Sequence, residues 1–78
     1  MIDFKVVEEE IKGDICVNAD TQFNSLRAGK IVISENVTAR VYGTVGDVVL
    51  RNGSKLYVHG RITGEVENEG GELFLHFV

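Results

Sequence analysis

The feature that most constrains this chain is a spacing. Val41, Val58 and Leu75 stand 17 residues apart, as do Ala39, Leu56 and Leu73, and the pairs Gly43/Gly60 and Val45/Ile62 keep the same step. Aliphatic residues and glycines recurring together at one interval mark copies of a single structural unit. The unit extends into the N-terminal half. Gly13-Asp14-Ile15-Cys16-Val17 reappears as Gly29-Lys30-Ile31-Val32-Ile33, as Gly46-Asp47-Val48-Val49-Leu50 and more weakly as Gly64-Glu65-Val66-Glu67-Asn68, in steps of 16, 17 and 18.

Between these copies fall Ala19-Asp20-Thr21-Gln22, Ser34-Glu35-Asn36, Arg51-Asn52-Gly53-Ser54 and Glu69-Gly70-Gly71-Glu72, residue types that favour tight reversals. Val, Ile, Phe and Tyr dominate the intervening stretches, there is no proline, and no helical period is sustained, so the chain is expected to be all-β. At the N-terminus Ile2, Phe4 and Val6 alternate with polar residues, which predicts a strand ending near Val7. Glu8-Glu9-Glu10 repel one another and Gly13 follows closely, so a solvated turn or a single helical turn is expected there. Residues 1–12 together read as a cap strand and an acidic turn.

A period near 17 is too short for a propeller blade but suits one coil of a parallel β-solenoid. The expectation is a single domain over 1–78, a small solenoid of about four coils. In such a stack equivalent residues lie one strand spacing apart, about 4.8 Å. Ala39, Leu56 and Leu73 then form one apolar column, Val41, Val58 and Leu75 another, Ile15, Ile31, Val48 and Val66 a third, and Val17, Ile33 and Leu50 a fourth. Asp14, Lys30, Asp47 and Glu65 fall in an outward column that sets a lysine between acids. The alternative is an antiparallel β-meander or small barrel, for which Asn52-Gly53 offers the strongest short hairpin signal. A meander, however, does not require equivalent columns at constant spacing.

Length and charge limit the function. A chain of 78 residues is one small domain that buries about 60% of its extended surface. A net charge of −4 with 8 Lys and Arg argues against nucleic acid, whose affinity comes from basic residues displacing counterions. Cys16 is the single cysteine, so no internal disulfide forms, and it reads as a thiol packed in a strand. No secretory leader opens the sequence and no apolar run approaches the roughly 20 residues of a membrane helix. The expected location is the cytoplasm, with no integral membrane segment.

The motifs Gly43-Thr44-Val45-Gly46-Asp47-Val48 and Gly60-Arg61-Ile62-Thr63-Gly64-Glu65-Val66 resemble the Gly-x-Val-x-Gly-Asp-Val units of bactofilins, the bacterial polymer-forming cytoskeletal proteins. The similarity runs from Val37 to Phe77. It implies a β-helix and a scaffold that associates with itself.

No nucleophile, base and orienting group stand together in the pattern, and no cofactor or catalytic residue is expected. His59 and His76 are one period apart, which puts them on successive coils as weak metal candidates. A third donor would have to come from their own column, where Tyr42 stands, or from another subunit, and the competing reading is two surface histidines. The outward columns Tyr42, His59, His76 and Arg40, Tyr57, Phe74 are rich in aromatics and arginine, the composition of a binding surface. The same residues would also serve as a ladder that merely stabilises the sheet. Leu73 to Val78 reads as a strand with nothing to cover the last coil, so Phe77 and Val78 join the expected interface. A dimer or small closed oligomer follows, by two-fold contact of C-terminal coils.

The chain thus reads as a non-enzymatic structural or protein-binding module, partnered by itself or by another protein. Two alternatives stand beside it: a small enzyme with a metal or acyl-transfer site between subunits, by analogy with trimeric left-handed β-helix enzymes, and an inhibitor or immunity-type binder presenting its acidic surface to a basic partner.

Overall fold

The computed structural model describes residues 5–7 and 11–76, the side chains of Lys5, Ile11, Lys12 and His76 excepted. Seven strands follow in order: β1 Lys5–Val7, β2 Ile11–Val17, β3 Thr21–Ile33, β4 Thr38–Leu50, β5 Lys55–Ile62, β6 Val66–Asn68 and β7 Glu72–His76. They form one sheet in the order β1-β3-β4-β5-β7, with β2 paired to β3 and β6 to β4, and every pairing is parallel. Parallel neighbours joined without a crossover helix are successive coils of one winding. The chain is a β-solenoid of about four turns.

The register confirms the columns. Thr21, Ala39, Leu56 and Leu73 are consecutive partners, as are Val7, Phe23, Val41, Val58 and Leu75. Ile15, Ile31, Val48 and Val66 align likewise, and so do Val17, Ile33 and Leu50. The repeat therefore reaches further back than the spacing of 17 reveals, since β1 at the end of the stack is in register with β3. Ile2, Phe4 and Glu8-Glu9-Glu10 lie outside the described residues.

Period-two alternation sends one residue in two inward, and the inward set is almost wholly aliphatic. Leu26, Ile31, Ile33, Val41, Val45, Val48, Leu50, Leu56 and Val58 are the large side chains sealed in this core, each contributing about 1.5–3 kcal/mol by leaving water. Val66 reaches its column in register yet is 41% exposed, because β6 is a three-residue strand whose only partner among the described residues is β4.

Asn52-Gly53, the hairpin signal of the antiparallel alternative, is a corner of the solenoid. Asn36, Gly53 and Gly70 adopt positive φ of 59°, 76° and 105° at equivalent points of successive turns, and Gly53 N–H donates to the Gly70 carbonyl at 3.0 Å. The chain leaves this corner to run parallel to the preceding coil, with Lys55 N–H donating to the Val37 carbonyl at 2.9 Å. Glycine is required at a second recurrent position. Gly43 and Gly60 have φ of 146° and 154°, and a Cβ on either would strike the backbone carbonyl of Leu26 or Gly43 in the coil before it.

Unequal steps are absorbed at irregularities. The register shifts between Phe23 and Leu26, where Asn24 and Ser25 occupy the place that Tyr42 alone fills in the following coil. Around Thr63 and Gly64 the Asp47 carboxylate accepts the Glu65 N–H at 3.0 Å. Asp47 thus bridges two coils as a backbone acceptor, whereas the charge column suggested Lys30 as its partner. The Asp20 carboxylate plays a comparable part, accepting Thr38 N–H at 2.9 Å. Between the coils that follow, Arg51 Nη1 donates to both Glu69 oxygens at 2.7 and 2.9 Å. That bond and the carboxylate charge raise the guanidinium pKa above its ordinary value.

Candidate functional site

The candidate site is built on one side of the coil by β4, β5 and β7. Arg40, Tyr57 and Phe74 are consecutive partners there, as are Tyr42, His59 and His76. These positions alternate with the core residues Ala39, Val41, Leu56 and Val58, so the period that buries the aliphatics turns the aromatics outward. Because every residue sits directly beside its equivalent, like side chains are held ring against ring.

Tyr42 and His59 stack with centroids 4.6 Å apart and planes 12° from parallel. Tyr57 and Phe74 stack at 4.7 Å and 12°. The Arg40 guanidinium lies 6.0 Å from the Tyr57 ring centroid on the side away from Phe74, at the outer limit of a cation–π contact. Arg40 is further tied to Gln22, whose Oε1 accepts from Nη1 at 3.5 Å, and Gln22 in turn donates to Asn24 Oδ1 at 3.0 Å. Tyr42 and Phe74 are 38% and 37% exposed, while Tyr57 and His59 are half-buried. The ring faces are largely taken up by the ladder, so what the strip offers to solvent is chiefly ring edges and polar tips.

The sequence expectations fare unequally. Arg40, Tyr42, Tyr57, His59 and Phe74 are brought onto one face as the spacing required. His76 stands next to His59 in register, but its side chain, with Phe77 and Val78, lies outside the described residues. Tyr42 is the stacking partner of His59, and among the described residues no three His, Cys, Asp or Glu converge on one point. Cys16 is exposed, in register with Val32 and Val49, rather than packed inward.

A further outward column escaped the sequence reading although it keeps the same interval. Arg27, Thr44 and Arg61 are consecutive partners, all exposed, on the other side of the Gly43/Gly60 corner from Tyr42 and His59. A shallow recess of about 470 Å³ lies between the two columns, bordered by Asn24, Arg27, Tyr42 and Thr44. Among the described residues no helix is long and apolar enough to cross a membrane. Comparison with protein-family models, with curated proteins and with solved structures finds no match, so the functional reading stands on the architecture and this surface.

Proposed function

We propose that the chain is a non-enzymatic structural module that binds protein, either another copy of itself or a different partner, through the face carrying Arg40, Tyr42, Tyr57, His59 and Phe74. The observation that carries this reading is the pair of stacked ladders. Side chains fixed by their neighbours lose little rotamer freedom when a partner covers them, so binding there costs less entropy than at a surface of mobile side chains. The motif resemblance to a polymer-forming family favours self-association between the two kinds of partner. An exposed, unpaired thiol at Cys16 suits a reducing compartment, and the cytoplasm is proposed as the location.

Sedimentation of the intact chain over a concentration series reaching about 100 μM, where contacts of ~5–6 kcal/mol are populated, tests the self-association arm. Tyr57→Ala combined with Phe74→Ala is expected to weaken association while circular dichroism stays that of the parent. Loss of the β-sheet signal in that variant would show the ladder to be a structural brace and overturn the binding role.

A further inference from the structure

Asn52 is the one asparagine of the chain that precedes glycine. An asparagine loses its side-chain amide when the backbone nitrogen of the next residue closes on its Cγ, and glycine, having no Cβ, leaves that approach open. Asn36 stands at the equivalent corner one coil back but is followed by Val37, whose branched Cβ crowds the nitrogen. The side-chain amides of Asn24 and Asn68 are tied to Gln22 and to the Gly70-Gly71 backbone. Asn52 is exposed, and its Oδ1 lies where a Cβ on Gly70 would stand.

Folding restrains the reacting atoms. Arg51 to Ser54 is a turn in which Ser54 N–H and Ser54 Oγ both donate to the Arg51 carbonyl, at 3.1 and 2.7 Å. The peptide joining Asn52 to Gly53 is held from two sides: its carbonyl accepts the Asn36 N–H at 3.2 Å, and its N–H donates to the Gly70 carbonyl at 3.0 Å. The Gly53 nitrogen is the nucleophile of the ring closure, and it must lose its proton to attack. The bond to Gly70 keeps that proton in place, so the guard over Asn52 is the neighbouring coil.

That guard is lightly fastened. Residues 63–70 are all exposed, and β6 is three residues long and pairs only with β4 among the described residues. Beside Asn52 the coil is held by polar contacts, Glu69 N–H to the Leu50 carbonyl at 2.7 Å and the Arg51–Glu69 ion pair. Segments with little buried apolar surface and exposed backbone bonds open locally, before the domain unfolds.

We propose that Asn52-Gly53 is a self-modification site gated by the coil that carries Gly70. When that coil lifts, the Gly53 nitrogen gives up its proton and bonds to Asn52 Cγ, the Cγ–Nδ2 bond breaks, and Nδ2 leaves as ammonia with the proton. One water then opens the cyclic imide. Attack at Cγ gives aspartate, and attack at the backbone carbonyl gives isoaspartate, with the main chain running through Cβ and Cγ. Either product sets a new carboxylate against the Glu69-Gly70 corner. Isoaspartate also lengthens the main chain by a methylene, so the peptide no longer meets Asn36 and Gly70 together, and a coil that has lifted does not close as before. The inference is independent of what the aromatic face binds.

The Gly53 amide reports the same opening, because the hydrogen that exchanges with solvent is the proton that must leave. The intact chain is held at mildly alkaline pH, and conversion of Asn52 is followed by mass spectrometry as NH replaced by O, with enzymatic methylation to count isoaspartate. Conversion is expected to be slower in buffer than in unfolding urea by at least the protection factor of the Gly53 amide, and to rise in step with Gly53 exchange through sub-denaturing urea. Gly70→Ala, at a φ of 105° and with a Cβ striking Asn52 Oδ1, is expected to speed conversion about tenfold while the Val41 and Val48 amides stay protected. Asn52→Gln is expected to abolish the mass change. Should Gly70→Ala lose the circular dichroism of the parent, the urea series on the parent decides alone. Equal rates in buffer and in unfolding urea, conversion that stays flat while Gly53 exchange rises, a folded Gly70→Ala converting like the parent, or a mass change at another asparagine overturns the proposal. So does conversion that follows Val41 exchange instead of Gly53 exchange, which would make global unfolding the gate.

Discussion

The Tyr42 ring and the His59 imidazole face each other across the β4–β5 pair, 4.6 Å between centroids and 12° from parallel. Directly opposed ring pairs on neighbouring strands interact beyond the area they bury, by about 0.5–1 kcal/mol. Tyr42→Ala and His59→Ala, singly and together, are expected to show a coupling of that size in urea denaturation. A coupling of zero would mean that the stacked geometry adds nothing to packing.

Gly60, like Gly43, leaves no room for a side chain. A Cβ there would meet the Gly43 carbonyl, and φ is 154°, so relief requires two coils to separate. Gly60→Ala is expected to cost more than the ~1 kcal/mol of an ordinary strained glycine replacement. Gly29→Ala makes the comparison, since its Cβ would approach only the end of the Asp14 side chain, at 3.1 Å. Its midpoint of thermal unfolding is expected to stay close to the parent, and equal losses at both sites would refute the steric account.

Asn36 occupies the corner that glycine fills at 53 and 70, with φ of 59°. Asn tolerates the left-handed region better than other side chains, and Gly better still. Asn36→Gly is accordingly expected to be neutral within about 0.5 kcal/mol, and Asn36→Ala to destabilise by ~1 kcal/mol. The order of the two unfolding midpoints decides the matter.

Stability is unevenly distributed among the core columns. Leu56 is fully buried between coils whereas Val66 is 41% exposed. Leu56→Ala is expected to cost ~2–5 kcal/mol, cavity included, and Val66→Ala less than ~1 kcal/mol. Similar values from equilibrium denaturation would contradict the burial gradient.

The fold was legible because a solenoid makes its columns a sequence property. Ala39, Leu56 and Leu73 are partners in space for the same reason that they are equally spaced in the chain. Legibility failed where the step departs from 17. Thr21 and Phe23 belong to the same columns as Ala39 and Val41, but the extra residue at Asn24-Ser25 hides them from a fixed interval. Asn52-Gly53 misleads differently, since its left-handed preference is real and is used at a corner between parallel strands instead of in a hairpin.

The candidate surface was half legible. Tyr57 and Phe74 are conspicuous because aromatics are scarce, whereas Arg27, Thr44 and Arg61 recur with equal regularity but look like scattered charge until the register groups them. The role of Asp47 was hidden for another reason. Its acceptor bond to the Glu65 amide depends on a local irregularity, and no pattern of residue types encodes that.

The parallel register also governs how such a chain finds its structure. Partners such as Val41 and Val58 are separated by 17 residues, giving a relative contact order of about 0.2 in a chain of this length, in the range of domains that fold in milliseconds to seconds. The first pairing of two coils must close a loop with no template to receive it, and the long β3–β4 ladder is where that closure gains most. Every later turn closes a loop of similar length onto an edge already formed. Refolding should therefore be nucleated in the middle of the chain and spread outward, with the amides of β3 and β4 protected from exchange before those of β6 and β7.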